Sequence, residues 1–199
     1  MEIIFKSSWV KKESHSPTVK IDRILKVHNT HRTIQRFEDC RDSVKSVARK
    51  NPRCSADGNE LLRFHCATLS CSLGSRRSSS LCSITSCHVC STIRHGFSAA
   101  GDGVLTTASS GRAHDSLTSS SSSRRAMIVC RVIAGRVKRD SGEGGDGSES
   151  VAGGYDSVAG SSTGIYNNLE ELVVFNPRAI LPCFVVIYKT LGSDHQLIN

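Results

Sequence analysis

Residues 125–137 read Arg-Ala-Met-Ile-Val-Cys-Arg-Val-Ile-Ala-Gly-Arg-Val. The run is short, rich in β-branched and apolar side chains, and bounded by serine on one side and glycine on the other, which predicts a core strand. Working outward, Glu171 to Phe175 and Cys183 to Tyr188 have the same character, with Pro177 and Pro182 marking the connection between them. Upstream, Asn51-Pro52 ends a helical pattern and Asp57-Gly58-Asn59 makes a turn. Glu60-Leu-Leu-Arg-Phe-His65 then reads as another buried strand. Strands separated by irregular stretches rather than by regular helices predict an α+β fold, with an antiparallel or mixed sheet and not a doubly wound one.

Before these strands, Met1 to Val10 reads as a short strand followed by a polar turn through Ser14, His15, Ser16 and Pro17. From Lys20 to Arg49, Ile21, Ile24, Leu25, Ile34, Phe37, Val44 and Val47 recur mostly at three- and four-residue steps. That spacing predicts two helices, or one helix interrupted at residues 28–32, packed on the sheet. The expected organisation is an N-terminal strand and basic helical segment over 1–54, a core domain over 55–190 and a tail over 191–199. Serine- and glycine-rich tracts at about 75–86, 118–124 and 140–154 lack the apolar surface to order themselves and are expected as disordered loops inserted between core strands.

Composition bounds the rest. The chain has 199 residues, enough for one domain with tails; 38% are hydrophobic and only 5% aromatic, so the expected core is small. Lysine and arginine outnumber aspartate and glutamate by 26 to 18, which allows contact with a polyanion. The excess lies at Lys11, Lys12, Arg23, Lys26, Arg32, Arg36, Arg49, Lys50 and Arg53, without interleaved aromatics to stack bases, and the plainer reading is a solvated helix surface. No apolar run approaches the ~20 residues of a membrane span, and no secretory signal opens the chain, so an intracellular protein of the nucleus or cytosol is expected. Nine cysteines then read as free thiols, small buried side chains or metal ligands before disulfides.

Several stretches fall in a familiar order: His65 closing a strand, Ile93-Arg-His-Gly-Phe97, Gly103-Val104 before a Ser/Ala run, Met127 to Gly135, Gly154-Tyr-Asp-Ser-Val158, and Glu171-Leu-Val-Val-Phe175 with Pro182 and Phe184-Val-Val-Ile-Tyr188. Over about Glu60 to Lys189 this resembles the catalytic domain of poly(ADP-ribose) polymerases (PARPs). Ile24 to Ile34, Arg112-Ala-His-Asp115 and Asn176 to Phe184 are similar to a plant group of such proteins that often carries a C2H2 zinc finger ahead of this region. No finger pattern precedes residue 28, so the resemblance is to a shortened or N-terminally incomplete member.

The resemblance implies an α+β fold with the split antiparallel or mixed sheet of the ADP-ribosyltransferase type, and dissociative loss of nicotinamide from NAD, leaving an oxocarbenium-like ribose to be stabilised. It implies that His65 bonds a ribose hydroxyl and that Glu171 holds a ribose hydroxyl beside the developing charge. Leu105 falls where the family stacks a tyrosine on nicotinamide, and Cys66 stands where the family has a glycine against the carboxamide. A leucine supplies no aromatic face and a cysteine brings a Cβ, so NAD contact at His65, Cys66 and Leu105 is expected to be weakened. Taken singly, His65 reads first as a satisfied buried histidine at a strand end, and Glu171 first as an edge carboxylate paired with an arginine; it is their joint position on the family pattern that favours contact with NAD. Arg112-Ala-His-Asp115 reads as a surface turn or a cleft lining, and Asp156-Ser157 as donor-loop residues or an ordinary turn.

A separate pattern is Cys82-x4-Cys87-x2-Cys90-x4-His95, with Cys66 and Cys71 upstream. Zinc needs four nitrogen or sulfur ligands converging on a tetrahedron, and a two-residue gap lets Cys87 and Cys90 meet one ion. The alternative is a loop with reduced thiols. The functional expectation is a PARP-like interaction module with weak or lost transferase activity and protein partners. Its alternatives are an active mono-ADP-ribosyltransferase using NAD, and a basic, zinc-clipped nucleic-acid-binding protein; none involves a membrane.

Overall fold

The computed structural model describes residues 1–9, 18–48, 50–75, 78–98, 103–117, 124–139, 154–160 and 169–191. Most of the tracts expected as loops at 118–124 and 140–154, and residues 192–199 of the tail, lie outside them. The strand elements are β1 (Thr18–Lys26), β2 (Glu60–Thr68), β3 (Val104–Thr107), β4 (Arg125–Ile133), β5 (Val137–Lys138), β6 (Ser157–Ala159), β7 (Glu171–Val174) and β8 (Ile180–Leu191). They form one sheet in the order β1-β8-β4-β2-β3-β7-β6-β5. Every neighbouring pair is antiparallel except β5 with β6, so the sheet is mixed, and helices cover both faces in an α+β arrangement.

The stretch 125–133 sits at the centre because its side chains are apolar on both faces. Along β4, Ile128, Cys130 and Val132 face one core cluster while Met127 and Val129 face a second. The first cluster is closed by Phe37 and Val44 of α2 (His31–Val47), Cys54 of α3 (Pro52–Asp57) and Val89 of α4 (His88–His95). The second is closed by Phe5 of α1 (Glu2–Ser7), Trp9 just beyond it and Ala113 of α5 (Ser110–Ser116). Each such side chain taken out of water stabilises the fold by roughly 1.5–3 kcal/mol.

The helices start and stop where local chemistry dictates. Thr30 Oγ1 accepts from the Thr33 N–H at 3.2 Å to cap α2. Asn51 Oδ1 accepts from the N–H groups of Arg53 and Cys54 at 3.1 and 3.2 Å, with Pro52 in the first turn of α3. Gly58 ends that helix in the left-handed region, φ 73°, which strains any residue with a side chain. At the end of β4, Gly135 has φ 58°, and a Cβ there would fall 2.5 Å from the Asp156 Cβ. Asp156 takes that space because it accepts from the Arg136 N–H at 2.8 Å and Nε at 3.0 Å.

Two N-terminal expectations are corrected. Residues 2–7 are a helix and not a strand. Alternation would have buried Ile3 beside Phe5, whereas Ile3 is 81% exposed. The helical repeat instead brings Phe5 and Trp9 to Tyr188, with ring centroids at 5.3 and 5.4 Å. The first half of the helical segment expected over 20–49 is strand β1, paired along its length with β8. The three-residue step from Ile21 to Ile24 comes from a register shift between Ile21 and Arg23, a bulge that keeps Val19, Ile21 and Ile24 on the second cluster. Only α2 is helical there, so the N-terminal third supplies a strand to the sheet as well as a helix to its surface.

Candidate metal centre and the seam of the sheet

The segment following β2 runs over the first face of the sheet with few apolar side chains of its own. Its irregular part, expected to be unordered from 75 to 86, is tied down at residues 78–86 by polar contacts. Arg94 donates to Leu81 O at 3.0 Å and Ser83 Oγ at 3.3 Å. Ser70 Oγ donates to Ser86 O at 3.0 Å, and Thr68 Oγ1 meets His88 Nδ1 at 2.9 Å. Cys87 stands at the N-cap position of α4, with no capping bond from its side chain, and Cys90 lies three residues on in the first turn, so both sulfurs leave the same side of the helix start.

Here four thiols converge. Cys71, Cys82, Cys87 and Cys90 place their Sγ atoms all within 4.8 Å of one another, with Cys87 and Cys90 buried, a set able to hold a metal ion. Three of the four residues expected as ligands are brought together, but the fourth is Cys71 and not His95, which is exposed at the end of α4. Spacing alone pointed to His95, because ten residues separate Cys71 from Cys82 and only the folded loop closes that distance. Burial pushes the thiols of Cys71 and Cys90 up. Burial raises Cys87 as well, but the N–H groups of Cys90 and Ser70 and the thiols of Cys90 and Cys71 outweigh it and hold Cys87 below the ordinary cysteine value.

The other candidate residues gather at a seam. β2 and β3 meet through a single pair, Phe64 with Thr107, whereas β2 and β4 pair over nine consecutive positions. His65 follows Phe64, Leu105 lies two residues before Thr107, and Glu171 stands opposite Thr107 on β7. Residues opposite one another on a ladder share a face, so Leu105 and Glu171 share one face and His65 lies on the other. What groups the three is the seam itself. Side chains of β2 bridge it, foremost the buried Arg63, which donates from Nε and Nη2 to Thr106 Oγ1 and Thr106 O at 3.3 and 3.0 Å, and to the carbonyls of Glu170 (3.0 Å) and Leu169. Burial lowers its pKa to about 10. A lone arginine inside an apolar strand is a sequence signal for such a brace, since a buried guanidinium must be satisfied.

His65 Nδ1 lies 2.9 Å from the Leu105 carbonyl, and the ring meets Phe97 edge-on at 5.1 Å. A carbonyl only accepts, so Nδ1 carries the proton. Burial holds the pKa below the ordinary histidine value, so near neutral pH the ring is uncharged and Nε2 is an acceptor. Glu171, on a strand flanked by β3 and β6, is paired with Arg112 at 3.1 Å, and residues 112–115 lie in α5. The Cys66 side chain points to the second cluster, where its Sγ lies 3.4 Å from Tyr188 Oη, which in turn lies 2.8 Å from His114 Nδ1. Burial raises both the Cys66 thiol and the Tyr188 phenol. Ser157 donates to Ala134 O at 2.7 Å, so Asp156 and Ser157 together hold the β4–β5 corner.

No helix among the described residues is long and apolar enough to cross a membrane. No protein family model matches the chain, and no curated protein matches it.

Proposed function

We propose that this chain is a PARP-like ADP-ribosyltransferase-fold module in which transfer chemistry is weak or lost, retained as an NAD-contacting or protein-binding module. The observation that carries the reading is the grouping of His65, Leu105 and Glu171 on three adjacent strands, each at or within two residues of the single pair that joins β2 to β3. This is an α+β chain whose one sheet is joined through a single pair at β2–β3, the place where the resemblance expects a cleft.

The residues present fit NAD only in part. His65, with Nε2 as acceptor, suits a ribose hydroxyl donor. Leu105 offers apolar contact to a nicotinamide ring but no aromatic face. Glu171 spends its charge on Arg112, and stabilising a cationic ribose would require that pair to open. Transfer therefore lacks two of its three groups in working form, and no transfer step is derived from this seam. Glu170 is no substitute, since its Oε1 accepts from Ser109 Oγ at 2.6 Å and Ser109 N at 3.1 Å.

Calorimetric titration of the chain with NAD into the millimolar range, alongside His65→Ala, tests the reading. Weak binding lost in His65→Ala supports a functional seam. Absence of binding removes NAD from the proposal, and rapid label transfer from NAD to protein, abolished in Glu171→Gln, overturns the loss of catalysis in favour of a mono-ADP-ribosyltransferase.

A further inference from the structure

We propose that Cys71, Cys82, Cys87 and Cys90 bind one zinc ion in a closed, four-thiolate structural site that clamps residues 69–98 onto the sheet. The argument is independent of the transferase reading. Cys71 Sγ lies 3.6 Å from both Cys87 Sγ and Cys90 Sγ. A tetrahedron with zinc–sulfur bonds of about 2.3 Å has sulfur–sulfur edges of about 3.8 Å, while a disulfide would bring two sulfurs to about 2.05 Å. The observed spacing is that of ligands around one ion, and too tight for a cluster of several irons. All four thiols are free of disulfides.

The surroundings are built for thiolates. The Leu73 N–H donates to Cys71 Sγ at 3.5 Å. Such donors orient sulfur ligands and offset their negative charge. Arg124, bonded to the Cys71 carbonyl at 2.7 Å, adds a cation beside them.

The segment also lacks another means of staying folded. Apart from cysteines, its fully buried apolar side chains among the described residues are Leu69, Leu73 and Val89. That is too little apolar surface to offset the conformational entropy of some thirty residues, so a metal whose binding free energy becomes folding free energy supplies the deficit. Zinc fits four thiolates with no position left for water or substrate, which makes the site structural rather than catalytic. By fixing α4 the ion also fixes Phe97, the ring lying against His65.

The test uses the whole chain, purified under reducing conditions. Metal analysis should return one zinc per chain, and exchange for Co2+ should give tetrahedral d–d bands with the intense charge-transfer absorption of four thiolates. Cys71→Ser should lose most of the bound zinc while His95→Ala keeps it. If Cys71→Ser fails to fold, the cobalt spectra of the wild-type chain and of His95→Ala decide the same question. A chain that folds without metal and takes up none when zinc is added overturns the proposal. A cobalt spectrum of mixed nitrogen and sulfur ligation, abolished in His95→Ala, overturns the ligand set, and iron in place of zinc overturns the identity of the ion.

Discussion

The centre of the sheet and the cysteine-bearing segment beside it are held by different means. β4 is paired along its length on both sides and apolar on both faces, so its order follows from burial and ladder hydrogen bonds. Residues 69–98 lie on that same sheet with a handful of apolar anchors, polar ties and four converging thiols. In one region the sequence pattern carries the structure everywhere along its length; in the other a few atoms at separated positions carry it. A residue's worth therefore depends on which region it stands in.

The largest effect should come from breaking the centre. Phe64→Ala removes a buried ring beside the seam and should lower global stability by about 3–5 kcal/mol, read as a shift of the urea midpoint without a change of slope. Arg63→Met keeps the bulk but removes the donors to Thr106 and to the Glu170 and Leu169 carbonyls, while Thr106 Oγ1 keeps its bond to Leu172 O and Glu170 O its bond from the Ala108 N–H, and should cost about 2–3 kcal/mol. Leu73→Ala sharpens the contrast: it should cost about 2 kcal/mol, expressed as faster amide exchange within 69–98 while Ile128 and Val129 stay protected.

The pH response tests the seam more gently. Burial lowers the folded pKa of His65, so below its unfolded value of about 6.5 the unfolded chain binds the proton more readily. The contribution from neutral His65 is thus fully present above that value and lost as pH falls below it. Stability measured at pH 7.5 and 5.5 should fall less in His65→Gln than in the wild-type chain; equal losses would place the titration elsewhere. The smallest effect belongs to the rim, where Lys189→Ala breaks an exposed pair with Asp22 and should change stability by less than about 0.5 kcal/mol.

The two regions also differ in how far they could be read from sequence. The strands at 125–133, 171–174 and 180–191 announce themselves by dense apolar and β-branched runs, fully buried only at the centre of β4, and the turn at 57–59 by its glycine. Strand β1 was hidden by its own bulge, which turns a period of two into a step of three. Helix α1 was hidden by isoleucines that the fold leaves outside. At the thiol cluster the Cys87–Cys90 pair is a local signal, but Cys71 joins it only by loop closure. The Arg112 partner of Glu171 lies 59 positions away and is a property of the assembled sheet alone.

The two margins of the sheet have a consequence for how copies of this chain behave in a crowded solution. Among the described residues the sheet ends at β5, two residues long and finishing in Lys138, and at β1, interrupted by a bulge and carrying Lys20, Asp22, Arg23 and Lys26. A broad sheet with such an apolar centre would otherwise template further strands. A stub at one margin and a kinked, charged strand at the other give a neighbouring molecule no straight, neutral row of amides to extend, so the architecture limits its own polymerisation.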